Sequence, residues 1–405
     1  MPVRAIHERI AFHSLRKKHQ SGRIRKAGVF FLMKNVAVFF GGKSCESEIS
    51  VLTGTFVVNL LDEKRYAVFP VYVGENGSFF TSENFDDVET FKRSDFLAKA
   101  TQTVFFGRDA YAVNTKKNRL KKLFSVDVAL NCCHGGLGEG GGLSGALQLA
   151  EIPLASPTLE ASGVFMDKAM TKLVLKSLHI PTVDFVRVNE DDYKKRGRFL
   201  LKNIGSRLKY PVIIKPAHLG SSIGIAVAEN ESQAKKAIED AFALDDRVII
   251  EKFLKDKRDV NCAAYLLDGE IVVSEVEEAA SGDGVYTFEE KYLSQTTAER
   301  QKSGGRVALK GALREKIRAY TKTVYKRMNL RGIVRMDYLV QNGSVYLSEV
   351  NTVPGSLAYY LFCDRLTDAR ALLGDLIENA YRESKTAEKQ VVSTGILHEL
   401  PKYRK

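Results

Sequence analysis

The stretch that most constrains this chain runs from Arg331 to Gly355, RGIVRMDYLVQNGSVYLSEVNTVPG. Two apolar runs flank Gln341-Asn342-Gly343, and the alternation of side chains along a strand predicts a β-hairpin. A two-residue turn would pair odd positions with even ones and split Asp337 from Glu349, whereas a three-residue loop with Gly343 left-handed keeps them together. The sequence therefore predicts the longer loop, with Arg335, Asp337, Glu349 and Asn351 on one face. Two carboxylates and an amide oxygen are hard ligands, suited to one or two Mg²⁺ ions that keep several waters and bind through substrate phosphates. Paired ions in phosphoryl chemistry sit roughly 3.5–4 Å apart, a span that bridging carboxylates can hold. A merely solvated face is the poorer account, because these four polar groups lie among Val334, Leu339 and Leu347.

At 405 residues the chain is long enough for two to four domains, and 44% apolar residues mark it as globular. The net charge of +12 suggests nucleic acid until it is located: residues 1–32 hold eight Lys/Arg against one acid, so the remainder is only mildly basic. No nucleic-acid partner is expected. The five cysteines (Cys45, Cys132, Cys133, Cys262, Cys363) show neither CxxC pairs nor finger spacing and read as buried thiols in a reducing cytoplasm. Val29–Leu32 is too short for a membrane span and Met33 is a candidate start, so residues 1–33 read as a basic extension outside the fold.

Residues 35–50 read as a buried strand, a glycine turn and a helix, opening an α/β domain, with a second strand over 66–72. Gly41-Gly42-Lys43-Ser44 is not a P-loop, since Ala37 stands where the motif needs its first glycine. Residues 84–123 read as a polar, irregular surface elaboration. Residues 126–153 give a strand, a glycine-dense loop and a helix. Gly136, Gly138 and Gly141 satisfy GxGxxG, but His134 and Glu139 would put side chains where a pyrophosphate needs bare backbone, so the loop reads as a close approach for substrate. After a break at Ser156-Pro157 comes a helix over 166–182, closed by Pro181. Residues 210–230 are two strands joined by a loop with Gly220, Ser221, Ser222 and Gly224, whose N–H groups and hydroxyls suit phosphate oxygens, and Lys215 adds charge. A helix over 231–243, a buried strand over 247–254 that could offer Glu251 to a purine amine, and a hairpin turning at Asp268-Gly269 follow. The glycine-bearing segment 279–306 suits a lid, residues 310–328 a helix, and two more helices follow the central hairpin.

The ordered set GGKSCESEIS, HGGLGEGGGLSG, MDK, IIKPAHLGSSIG, IIEKFL, FEEKYLS and RMDYLV with EVNTVPG resembles the D-alanine–D-alanine ligases of the ATP-grasp superfamily. The resemblance spans most of residues 35–361 and implies an α/β (α+β) ATP-grasp fold with an N-terminal open parallel-sheet α/β domain. It implies a substrate-binding domain over 34–156, a central ATP-grasp subdomain over 157–250, and a C-terminal subdomain with lid and metal site over 251–405. The implied reaction joins two D-alanines for peptidoglycan: ATP phosphorylates one carboxylate, and the second amine attacks the acyl phosphate. By position, Glu46 holds the first substrate's ammonium, and Ser221 with Tyr292 link it to the lid. Lys168, Lys215 and Lys291 match phosphate-binding lysines, with Ser222 beside them; Glu251, Lys252 and Leu254 match the adenine pocket, and Asp259 a ribose-binding acid. Asp337, Glu349 and Asn351 match the ligands of two Mg²⁺ ions, with Mn²⁺ as a substitute. Arg335 and the Gly355 backbone would stabilise the tetrahedral intermediate, and His134 and Glu139 lie on the substrate side. The family continues after NTVPG with Thr and a Ser that holds the second D-alanine; here the chain reads SLAYYLF, with Tyr360 at the serine's place and Ser356 as its candidate substitute. Thr287 stands where the lid commonly has Asp. The resemblance also implies a cytoplasmic homodimer. The rivals are a related ligase with a different second amine and a non-catalytic ATP-binding protein, which would have no need of Arg335.

Overall fold

Val36 to Phe40 have no solvent exposure, as expected of a β-branched and aromatic strand covered on both faces. In the computed structural model, which describes residues 33–278, 309–386 and 392–396, this run is β1 (Lys34–Gly41). It pairs in parallel with β2 (Tyr66–Val73) and β7 (Val128–Asn131). Between them the chain adds β3 (Phe79–Thr81), β4 (Thr101–Phe106), β5 (Asp109–Asn114) and β6 (Arg119–Ser125), giving the order β6-β5-β4-β3-β2-β1-β7. The expected parallel sheet thus comprises three strands, and an antiparallel wing completes it. The same wing corrects the irregular reading of 84–123. Its edge strand β6 is exposed from Arg119 to Leu123, so it lacks the buried alternation that marks a strand, and its lysines discourage edge pairing.

Helices α1 (Ser47–Leu60) and α2 (Gly142–Leu149) flank this sheet, followed by α3 (Leu159–Met166) and α4 (Lys168–Ser177). The second sheet is antiparallel, β10-β9-β11-β8, built from β8 (Phe185–Asn189), β9 (Val212–Pro216), β10 (Ala226–Ala228) and β11 (Arg247–Lys252). Helices α5 (Glu190–Leu208) and α6 (Glu231–Phe242) close its core around Ile204, Ile214, Ile238 and Ile250. Helix α3, strand β8 and helix α5 escaped the sequence reading.

The third sheet holds β12 (Arg258–Leu267), β13 (Glu270–Val273), β14 (Glu277–Glu278), β15 (Val334–Gln341) and β16 (Ser344–Asn351). Helix α7 (Ala312–Arg327) packs on it through Ile317 and Val324. After the hairpin come a short 3₁₀ segment (Gly355–Leu361) and one described helix, α8 (Leu366–Thr386), where two helices were expected. Helix α8 returns to the first sheet: Leu373 and Ile377 join the core of Val36 and Val38, and Glu378 binds Lys34 at 2.9 Å and accepts from Tyr66 at 3.0 Å.

The central hairpin pairs Asp337 with Glu349 and Arg335 with Asn351, as its chemistry required, but by another route. Its turn has two residues, Asn342 (φ 48°) and Gly343 (φ 76°), between the paired Gln341 and Ser344. Two positive φ values in succession fit the tight turn whose twist matches that of the strands. The lost parity is recovered further along, where the register steps from Tyr338↔Leu347 to Asp337↔Glu349 and leaves the buried Ser348 as an extra residue. A bulge there re-aims side chains beside a site, a common use of bulges.

A Cβ added at Gly343 would meet nothing within 4 Å, so Gly343→Ala strains only the backbone. Denaturant unfolding should show a loss of about 1 kcal/mol, and an unchanged midpoint would contradict this turn.

Candidate active site

Glu251, the penultimate residue of strand β11, has a buried carboxylate that lies between two ammonium groups. Lys172 Nζ is 3.1 Å from Oε1 and Lys215 Nζ is 3.0 Å from Oε2. Burial pushes this carboxyl up, yet the two lysines outweigh it and hold it at about 2. Lys215 comes from β9 and Lys172 from α4, one helical turn after Lys168, where it also donates to Thr182 Oγ1 at 2.8 Å. The sequence reading missed Lys172, although the Lys168/Lys172 spacing was its available signal. Glu251, expected to face a purine amine, has both oxygens on lysines.

Lys168 begins α4 and bends to the glycine loop, donating from Nζ to Leu219 O at 2.5 Å. That loop carries Gly220, Ser221 and Ser222, and Ser221 Oγ donates to Glu46 Oε1 from the first sheet's side. A Cβ at Gly220 would lie 2.6 Å from Glu46 Oε2, and one at Gly135 2.9 Å from it. The two glycine-rich loops thus make room for one carboxylate, which accounts for the crowding of glycines better than a dinucleotide fingerprint does.

His134 leaves β7 and is buried, with Nε2 2.8 Å from Thr53 Oγ1. Thr53 Oγ1 also accepts from the Ser356 N–H at 3.1 Å, so its single proton is free for Nε2. Burial pushes the imidazole down to about 4, and it is neutral at pH 7. Glu139 accepts from Gly135 N at 2.8 Å and from Val353 N at 3.2 Å, tying the first loop to the exit of β16. Burial pushes its carboxyl up to about 7, and Glu46 adds repulsion. Thr53, which links His134 to Ser356, left no mark in the sequence.

On the third sheet Arg335 grips Asp337 through two bonds, Nε to Oδ1 at 2.8 Å and Nη2 to Oδ2 at 2.9 Å. Its Nη1 donates to Tyr360 Oη at 3.3 Å, and Asn351 Nδ2 donates to Asp337 Oδ2 at 3.0 Å. Glu349 Oε1 lies 4.0 Å from Lys168 Nζ. The cross-strand oxygen set fits a hard divalent cation, with Arg335 and Lys168 supplying positive charge against the same carboxylates. A Cβ at Gly355 would meet nothing within 4 Å, which leaves open space at the start of the segment that carries Tyr360. Lys252 ends β11 exposed, its N–H on Asp184 O at 3.1 Å; Leu254 is buried; Asp259 sits on β12 paired with Lys257. Lys291, Tyr292, Thr287 and the expected lid lie outside the described residues. Of the five cysteines, all unbridged, Cys132, Cys133 and Cys262 are buried as expected, while Cys45, beside Glu46, is exposed.

A serine-bearing glycine loop on an antiparallel sheet, facing a carboxylate hairpin on a second sheet and joined to an α/β sheet, defines an ATP-grasp enzyme. The chain belongs to the D-alanine–D-alanine ligase family: the family model of the ligase N-terminus matches residues 35–157 and that of the C-terminus residues 174–379. It is 32% identical to the D-alanine–D-alanine ligase of Thermosipho melanesiensis over 374 residues, covering 90% of this chain and 98% of the relative. It is 31% identical to that of Borreliella burgdorferi strain ZS7, covering 86% and 94%. The D-alanine–D-alanine ligase structure from Helicobacter pylori superposes with a TM-score of 0.68 at 27% identity, covering 85% of this chain and 98% of that one. No helix among the described residues is long and apolar enough to cross a membrane.

The opposite pKa displacements of His134 and Glu139 give a pH signature. The folded state lacks the His134 proton between about 4 and 6.5, so this group raises stability with rising pH there; Glu139 keeps its proton from 4.5 to about 7 and does the reverse. Glu139→Gln removes the second contribution. Its unfolding free energy should climb more steeply than the parent's between pH 4.5 and 6.5, and parallel curves would refute the buried acid.

Proposed function

We propose that the cleft joins the carboxylate of one D-alanine to the amine of a second, using ATP, to make the D-alanyl-D-alanine of peptidoglycan. The observation that carries this reading is the cross-strand face of Arg335, Asp337, Glu349 and Asn351, with Lys168 4.0 Å from Glu349. Carboxylate and triphosphate repel each other, so bringing them together demands concentrated positive charge. Lys168, Lys172 and Lys215 supply it from this chain. Mg²⁺ held by Asp337, Glu349 and Asn351 would neutralise phosphate charge further.

Glu46 accepts the first D-alanine's ammonium, its carboxylate fixed by Ser221. The loop N–H groups around Ser222 take phosphate oxygens, and Leu254 with the end of β11 lines the adenine side. Once ATP has phosphorylated the first carboxylate, with ADP as the leaving group, the second amine attacks the acyl phosphate carbon. Arg335 with the Gly355 N–H stabilises the oxyanion, which collapses to the amide as the C–O bond to inorganic phosphate breaks and the amine gives up its proton. His134, neutral and aligned by Thr53, lies on the substrate side with Glu139 behind it. Much of the rate comes from placing three reactants together. A cytoplasmic location and a homodimer are part of the proposal, on the family resemblance.

Tyr360 supports a second reading, a ligase with a different second amine, because its hydroxyl contacts Arg335 where the family pattern has a serine. One experiment separates the two: ADP release with Mg·ATP against D- and L-amino acids, singly and in pairs, with products weighed by mass spectrometry. D-alanine alone should suffice and yield the dipeptide. A requirement for D-alanine plus another amine would favour the second reading, and no amino-acid-dependent ADP would sink both. In the same assay Asp337→Asn should lose at least about a hundredfold in turnover while still folding.

A further inference from the structure

His218, in the segment KPAHLGSS, takes no part in the chemistry above, yet the structure surrounds it with carboxylates. Its Nδ1 is 2.9 Å from Asp245 Oδ1, and its Nε2 faces Asp167 Oδ2 at 3.6 Å, too long for a hydrogen bond but an ion pair. The remaining charged neighbours are Arg247 on β11, donating to Asp167 at 2.9 Å, and Asp246 in the preceding turn, 3.5 Å from the Arg247 guanidinium. Each carboxylate accepts backbone donors as well: Asp167 caps α4 from Ala169 and Met170 at 2.8 and 3.0 Å, and Asp245 takes the N–H of His218 at 2.7 Å and of Arg247 at 3.1 Å. A neutral imidazole has one N–H and one lone pair, so it would aim the lone pair at one of these acids. Only the imidazolium suits both.

Along the chain His218 stands between the two residues whose carbonyls hold Lys168. Ala217 O accepts from the Lys168 N–H at 3.1 Å, and Leu219 O from its Nζ. Three residues after His218, Ser221 meets Glu46. We propose that His218 is a positioning residue: as an imidazolium fastened between Asp167 and Asp245, it locks the loop over 217–224 against Lys168 and so prepares the phosphate site. The role rests on the ATP reading of the cleft. Asp167 foremost, with Asp245, pushes the imidazole up to about 9, so the lock is fully present below the ordinary 6.5 and is lost as pH rises through about 9.

The test uses the full chain, with Mg·ATP binding followed by calorimetry and the His218 ring proton by NMR, assigned by its loss in His218→Gln. His218→Gln should weaken Mg·ATP binding about tenfold at neutral pH, the ordinary size of a lost positioning contact. The parent should lose affinity as pH rises through about 9, while the variant stays level. In Asp245→Asn, which keeps the ring observable, the His218 titration should fall toward its ordinary value. A parent His218 titrating near 6.5, or a variant that binds like the parent, would overturn the proposal. A parent that binds no Mg·ATP would instead sink the reading of the cleft and this role with it, even with the ring titrating high.

Discussion

Buried and half-buried ionised groups need partners before any ligand arrives, and this constraint orders the whole cleft. Glu251 has Lys172 and Lys215, Asp337 has Arg335, and Glu349 faces Lys168. The cations chosen are those a polyphosphate attracts. Ligand binding in such a site exchanges one set of ion pairs for another, and the cost of desolvating the charges is met once, during folding. Removing Glu251 would leave two ammonium groups facing each other in the protein interior with no counter-charge, an expensive kind of break.

The constraint also explains why three sheets must be held in register. Glu46 and His134 come from the first, Ser221 and Glu251 from the second, Arg335 and Asp337 from the third. No one sheet holds a complete site. Helix α8 packs against both the first and third sheets: from Ala369 to Ala380 it shares one core with Val36 and Val38 of β1 and Ala263 and Tyr265 of β12, and Glu378 takes Lys34 and Tyr66. At the opposite, C-terminal end of the parallel strands, Glu139 bridges Gly135 to Val353. These ties set the distances at which the reactants must meet.

How far the sequence could be read depended on whether a feature was local. The hairpin, the glycine loops and the acid–Arg face are written in short-range pattern, and the structure brings them together. The turn was misjudged because parity can be restored in a loop or by a bulge, and nothing about Ser348 in the sequence says which. The wing over β4 to β6 was invisible because an exposed edge strand shows no alternation, only charge. Lys172 and Thr53 act through partners 79 and 81 positions away, Glu251 and His134, and a single chain records no such pairing. The lysines at 168 and 172, one turn apart on a helix, were the nearest thing to a signal.

The segment after NTVPG is where the chain departs from its family and also where its backbone is most constrained. Ser356, Leu357 and Ala358 have φ of 49°, 50° and 47°, three side-chain-bearing residues in the left-handed region. Each costs roughly 1–2 kcal/mol. Burial of Leu357, Ala358 and Leu361 in the first core offsets that cost, as does the Ser356 N–H on Thr53, and the stack of Tyr359 on Phe56 at 5.1 Å holds the next residue. A turn retained against such strain is held on both sides. It sets the Tyr360 hydroxyl against Arg335 and links the Ser356 N–H through Thr53 to His134. The segment is therefore a rigid wall built on the first sheet's core, and packing as much as hydrogen bonding sets where the Tyr360 hydroxyl stands.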